Sequence, residues 1–252
     1  MLRLITIPIS HYCEKARWAL QRAGIAYREE PHVQGLHRFY ARRAGGGQTV
    51  PVLVTPEGAI AESEQILEWA DAHGDPSLRL FGEGAEREEQ LAVCRRLDER
   101  LGPHGRRLIY VRMFEQRDLL LRYNDQGVPR WEDRALRVGL PLAQRFIARV
   151  LEIEPGIERE DEAVVFAELD WVAELLADGR SFLLGERFSA ADLTFAALAA
   201  PIVLPSVYGT PLPPFELLDA PTKALVERGR AHAAGAFALR MYDERERAPA
   251  AA

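Results

Sequence analysis

Four consecutive residues, Ser10-His11-Tyr12-Cys13, place a hydroxyl and a thiol three positions apart at what reads as the start of a helix. Ser10 stands where an N-cap residue should, so its hydroxyl lies beside the unsatisfied backbone N–H groups of a first helical turn. Such a place draws anions, and a thiolate is an anion. Lowering a thiol pKa by about two units takes about 2.7 kcal/mol of preference for the charged form. A hydrogen bond to a charged acceptor contributes about 1.5–3 kcal/mol and a helix N-terminus about 0.3–1 kcal/mol. Together they are enough, with no metal and no histidine base. The plain alternative is a capping serine with no chemistry. Cys13 falls in the same turn, at the second sulfur position of a C-x-x-C pair in which Ser10 replaces the first. It is either a reactive thiol or a packed one. Cys94 recurs on an apolar stripe and reads as inert core.

Two other stretches bear on the same chemistry. Val50-Pro51 puts a proline at the start of an otherwise strand-like run, which suggests an edge or a cis bond. A cis bond there would leave the N–H and C=O of Val50 free to pair with an extended peptide. Glu62-Ser63, at the next helix start, supplies a hydroxyl and amides for a carboxylate and an acid for an ammonium. Each signal alone is weak. A thiol activator, a peptide-pairing edge and an amino-acid clamp are, in combination, what a Cys-containing tripeptide would need.

The elements that must position these residues follow from periodicity. Leu2, Leu4, Ile5 and Ile7 form a short β-favouring run stopped by Pro8; Ala16, Trp18, Ala19, Leu20 and Ala23 then recur at helical spacing until Gly24. A second strand over residues 26–30 implies a right-handed βαβ unit with parallel strands. A short helix over 36–43, the Gly45-Gly46-Gly47 loop, strands at 49–54 and 59–61, and a helix from Glu62-Ser63 complete a β-α-β-α-β-β-α order. The expected division is a domain over residues 1–76, a linker over 77–84 pinned by Leu80-Phe81, a helical domain over 85–243, and a fraying tail over 244–252. In the helical part, Leu91, Cys94, Leu97 and Leu101 make one buried stripe that Gly102-Pro103 interrupts. Further helices are expected over 108–121, 137–151 and 161–178, from Ser189, and over 217–242. Phe188-Ser189-Ala190-Ala191-Asp192-Leu193 is a capping box opening the most apolar helix of the chain.

Bulk properties exclude several classes. A formal net charge of −6 and no basic stripe argue against a nucleic-acid partner or an anionic membrane surface. The longest nearly apolar run, residues 193–205, is shorter than the roughly 20 residues a bilayer helix needs and contains two prolines. With two cysteines, no zinc-like spacing and no signal-like N-terminus, the expected location is cytoplasmic.

Over nearly its whole length the chain resembles a glutathione S-transferase. Ser10-His11-Tyr12-Cys13 with Ala16, Trp18-Ala19-Leu20 and Gly24 is similar to the Ser/Cys-type classes, Thr49-Val50-Pro51-Val52-Leu53 to the family's cis-proline segment, and Glu62-Ser63 to its γ-glutamyl site. The segment from Phe182-Leu183-Leu184-Gly185-Glu186 to Ser189-Ala190-Ala191-Asp192 resembles the C-terminal-domain signature. The resemblance implies an α/β thioredoxin-like N-terminal domain, an all-α C-terminal domain, glutathione as co-substrate, a small hydrophobic electrophile or peroxide as acceptor, and a homodimer. It implies Ser10 or Cys13 at the sulfur, with Tyr12, Gln48, Val50, Pro51, Glu62 and Ser63 binding glutathione and no metal. Gln48-Thr49 replaces the Lys that often precedes Val-Pro, which leaves the glycyl carboxylate to His37 or Arg38. His11, Tyr12, Tyr110 and Phe114 are the expected acceptor wall, and residues 110–134 are long and polar for a simple connection. Two other activities share this pattern: thiol-disulfide exchange at Cys13 with glutathione, and non-catalytic ligand binding.

Overall fold

The computed structural model describes residues 1–247. Its first half contains β1 (Leu2–Thr6), α1 (His11–Arg22), β2 (Tyr27–Pro31), α2 (His37–Arg43), β3 (Val52–Thr55), β4 (Gly58–Ala61) and α3 (Ser63–His73), the order expected from the sequence. The strands form one sheet, β2-β1-β3-β4, with β1 and β2 parallel and β3 antiparallel to both β1 and β4. Alternation along β1 explains its central place. Leu4 faces a core shared with α1 and α3, and Ile5 faces the opposite side, against Ala41 of α2 and Val52. The charged edge strand β2 is matched by partners: Glu29 accepts from Thr6 Oγ1 (2.6 Å) and Arg17 (2.7 Å), and Glu30 from Arg3 (2.9 Å).

The second half is helical: α4 (Gly84–Glu99), α5 (Leu101–Glu115), α6 (Arg117–Asn124), α7 (Arg130–Val150), α8 (Ile157–Leu175), α9 (Ala190–Val203), α10 (Ala220–Ala231) and α11 (Ala233–Arg247). α9 is buried at every position except Pro201 and packs against α1, α4, α5, α10 and α11. Its capping box is present: the Ser189 amide donates to Asp192 Oδ2 at 2.7 Å, and the Leu183 amide to Oδ1 at 2.7 Å. Leu80, in the connection between the halves, joins both. Its amide donates to Asp71 of α3 and its carbonyl accepts from Ala190 at the start of α9.

Several helix boundaries differ from expectation. The interruption expected at Gly102-Pro103 falls just before it, at Arg100; Pro103 sits in the first turn of α5, where its missing N–H costs nothing. The helix expected over 108–121 is divided at Gln116, whose side chain accepts from the Asp219 amide at 3.0 Å and donates to Thr222 at 3.4 Å. α7 begins at Arg130, seven residues earlier than expected. Its buried Glu132 accepts the Val33 amide (3.1 Å) and pairs with His32 (2.8 Å). The helix expected over 217–242 is divided at His232, where Nδ1 accepts the Ala234 amide.

Residues 244–247, expected to fray, continue α11. Arg245 is buried, pairing with Glu14 and donating to Gln21 Oε1 at 2.8 Å. The rest of that tail lies outside the described residues. No helix among the described residues is long and apolar enough to cross a membrane.

Candidate functional site

Ser10 caps α1. Its φ of −70° and ψ of 124° turn the chain from strand into helix, and its Oγ accepts the amide of Cys13 at 3.4 Å. That bond uses the oxygen as an acceptor, so the hydroxyl hydrogen can still be donated. Ser10 lines a cleft between the sheet half and the helical half, of about 1450 Å³ when its opening to solvent is included. Val50 reaches the same cleft from the other side. The Val50-Pro51 peptide is cis, and the sheet register begins after it, at Val52. Gln48 and Thr49 continue the wall.

Of the residues marked in the sequence, Ser10, Tyr12, Gln48 and Val50 meet in this cleft. Glu62 and Ser63 do not line it, but Thr49 Oγ1 of its wall donates to Glu62 Oε1 at 3.3 Å. Glu62 carries a φ of 66° with a ψ of 131°, an uncommon conformation for a residue with a side chain, costing about 1–3 kcal/mol. Pro51 is buried and turns the chain into β3 without lining the cleft.

Cys13 does not come to the cleft. It is fully buried, and that burial pushes its thiol above the ordinary range against the opposing pull of Arg17. The first helical turn is present as expected, but the side chain points into the α1 core, where burial outweighs the helix terminus. Cys94, also buried, has its thiol pushed up to about 11 by desolvation.

His11, Tyr12 and Tyr110 form the aromatic wall that was expected; Phe114 does not. It lies in a second apolar cluster with Met113, Leu120, Leu136 and Leu140, so Ile109 and Met113 present α5 to the cleft instead. Burial, reinforced by the charge of Arg106, lowers the His11 imidazole to about 3, which keeps it neutral. Tyr12 Oη donates to the Asp98 carbonyl at 3.0 Å, so the hydroxyl joins α1 to α4 and the ring faces the cleft. Gly102 makes this possible, since a Cβ there would sit 2.1 Å from Tyr12 Oη.

Between the two cations considered for a carboxylate, burial lowers His37 to about 4, leaving Arg38 as the charged one. Sequence reasoning missed Arg106, Gln34 and the Tyr208 side of the cleft. Arg106 was legible in principle, because it shares a helical face with Gly102 and Tyr110 at spacings of four. Gln34 and Tyr208 lie in segments whose course no local pattern sets.

Residues 4–77 match the family model described as glutathione S-transferase, N-terminal domain, and residues 154–221 match that for the glutathione S-transferase C-terminal domain. The chain belongs to the glutathione S-transferase superfamily. Solved superfamily structures share its fold at low identity. A glutathione S-transferase of Ceriporiopsis subvermispora, in complex with glutathione, is 17% identical with a TM-score of 0.65, covering 98% of each chain. The beta-etherase LigF of Sphingobium sp. strain SYK-6 is 17% identical with a TM-score of 0.59, covering 96% of this chain and 98% of that one. A glutathione S-transferase of Rhodospirillum rubrum F11 is 21% identical with a TM-score of 0.54, covering 93% of this chain and 90% of that one. No curated protein matches the sequence. The superfamily matches leave residues 78–153 between them, the stretch that contains α4 to α7.

Proposed function

We propose that this chain is a cytoplasmic, homodimeric glutathione transferase in which Ser10 stabilises the glutathione thiolate. The observation that carries this reading is that Ser10, capping α1, and Val50, ahead of β3, line one cleft. The Val50 backbone pairs the cysteinyl residue in the manner of an added strand. Glu62 and Ser63 hold the γ-glutamyl end, Arg38 with Gln48 meets the glycyl carboxylate, and the faces of Tyr12 and His11 border the sulfur. The sulfur then lies near the α1 N-terminus, where the Ser10 hydroxyl and helix amides favour its anion. The thiolate attacks a small electrophile held in the apolar part of the cleft, and the thiol proton passes to solvent.

The test is Ser10→Ala with glutathione and chlorodinitrobenzene. Loss of one donor to the anion lowers kcat on the order of 10²-fold, while the glutathione Kd measured by calorimetry changes little. Unchanged turnover, or no glutathione binding at millimolar concentration, overturns the assignment.

A further inference from the structure

The cleft has an unusual electrostatic balance. Arg38 and Arg106 both line it, and no Asp or Glu does among the described residues. Arg38 is on the side of the peptide-binding wall. Arg106 is across the cleft on α5, in the stretch that the superfamily models leave uncovered. Among the described residues it forms no ion pair and no hydrogen bond. Its Nε is closed off from solvent, whereas its terminal nitrogens are not. Its guanidinium stands 5.8 Å from the Tyr12 ring centroid, beside the site assigned to the sulfur. Four unused N–H groups on a cation in a largely apolar cleft need an acceptor, or the cost of desolvating them as the cleft fills goes unanswered.

One turn along the same face, Tyr110 supplies a further donor, and its direction is fixed by neighbours. Asn124 Nδ2 donates to the Leu120 carbonyl at 2.7 Å, so Asn124 Oδ1 is left as the acceptor facing Gln34. Gln34 must therefore present its amide nitrogen, and that same nitrogen donates to Tyr110 Oη at 3.2 Å. The tyrosine oxygen is thus occupied as an acceptor and its proton is free to be donated. Arg106 and Tyr110 together form a fork of donors with no acceptor among the described residues.

We infer that the acceptor substrate is an amphipathic electrophile bearing a carboxylate, which Arg106 and Tyr110 hold at the α5 wall while its apolar body lies along the cleft. The assignment rests on the transferase reading above and names the substrate class of the same site.

The experiment compares two aryl chlorides of nearly equal shape, para-chloro-meta-nitrobenzoate and its neutral primary amide. In each, the thiolate forms a C–S bond at the carbon bearing chlorine, chloride leaves with the bonding pair, and the thiol proton goes to water. Arg106→Gln lowers the benzoate-to-amide ratio of kcat/KM roughly tenfold to hundredfold, and Tyr110→Phe lowers it roughly threefold to tenfold. Arg106→Lys retains part of the ratio. Equal ratios in wild type and both variants overturn the inference, as does a rise of tenfold or more in the glutathione Kd of Arg106→Gln, which would assign that arginine to the peptide. Calorimetry on the wild type with unreactive meta-nitrobenzoate and meta-nitrobenzamide, at saturating glutathione, needs neither turnover nor a variant. Roughly tenfold tighter binding of the benzoate supports the carboxylate fork, and no preference overturns it. A benzoate preference with no turnover of either aryl chloride removes the transferase reading and leaves the fork standing. Turnover of both with no preference removes the fork alone.

Discussion

Glu14 accepts the backbone amide of Gly209 at 2.9 Å, joining residues 195 positions apart. The carboxylate is wholly buried and also pairs with Arg245 of α11 and, at 3.7 Å, Arg17 of its own helix. Two neighbours of Gly209 reinforce the link: Tyr208 Oη donates to the Ile9 carbonyl at 3.3 Å and Thr210 Oγ1 to the Pro8 carbonyl at 3.0 Å. The turn that delivers Ser10 is therefore clamped to the segment whose Tyr208, Leu212 and Pro213 close one side of the cleft.

Gly209→Ala should loosen that clamp. A Cβ at 209 would lie 2.5 Å from both Glu14 Oε2 and Arg17 Cδ, and these side chains are held by their own partners. The expected cost is about 1–3 kcal/mol, lowering Tm by several degrees, with a larger rise in acceptor KM than in glutathione KM. Thermal unfolding and the two KM values check it; a wild-type Tm would show that the segment gives way freely.

Gly102 and Tyr12 should be energetically coupled. Gly102→Ala costs about 1–3 kcal/mol by pressing on the Tyr12 hydroxyl, and Tyr12→Phe costs about 1 kcal/mol for the lost bond to Asp98. The double variant removes the contact with the hydroxyl and leaves that with the ring, Cζ at 2.7 Å, so its loss falls short of the sum by about 1 kcal/mol in urea unfolding. Strict additivity would mean that the two do not meet.

Cys13→Ala tests whether sulfur on the protein takes part. Full burial and an elevated thiol pKa leave little thiolate, so iodoacetamide at about pH 7 should label the folded chain far more slowly than the urea-unfolded one. Turnover with chlorodinitrobenzene should stay within about threefold of wild type, in contrast to Ser10→Ala. Rapid labelling, or loss of turnover on Cys13→Ala alone, would return the chemistry to the cysteine.

Acid stability should report the buried imidazoles. Burial holds His11 at about 3 and His37 at about 4, whereas an unfolded histidine titrates near about 6.5. As pH falls below about 6.5 the unfolded chain takes up protons that the folded chain refuses. The stabilisation is therefore complete above that pH and is lost on acidification, with a slope of up to about 1.4 kcal/mol per pH unit for each group. His11→Gln should lessen the drop in urea midpoint between about pH 7 and pH 5. An undiminished drop would mean that the His11 imidazole is charged in the fold.

The first half of the fold was readable because its signals are local. Leu2 to Pro8, the Ser10 cap, Gly24 and the Val50-Pro51 step each act within a few residues, and the alternation of Leu4 and Ile5 places β1 between two layers. The helical half was readable in outline only. Its break at Gln116 and the early start of α7 depend on Asp219 and Val33 finding those side chains in space. The same distinction divides the site: Ser10, Val50, Glu62 and Ser63 are marked by position in turns and helix starts, whereas Arg106, Gln34 and Tyr208 enter only when distant segments meet.

The sequence by itself determined the superfamily, the α/β and helical halves, the hydroxyl at the tip of α1 and the capping box of α9, because turn chemistry, capping and hydrophobic period are fixed by near neighbours. Only the tertiary structure decided that Cys13 is sealed in the core, that His11 is neutral, that Glu14 grips Gly209 and that Arg106 is left with open donors. Burial and charge pairing are set by which remote side chains exclude water from one another, and no window along the chain contains that information.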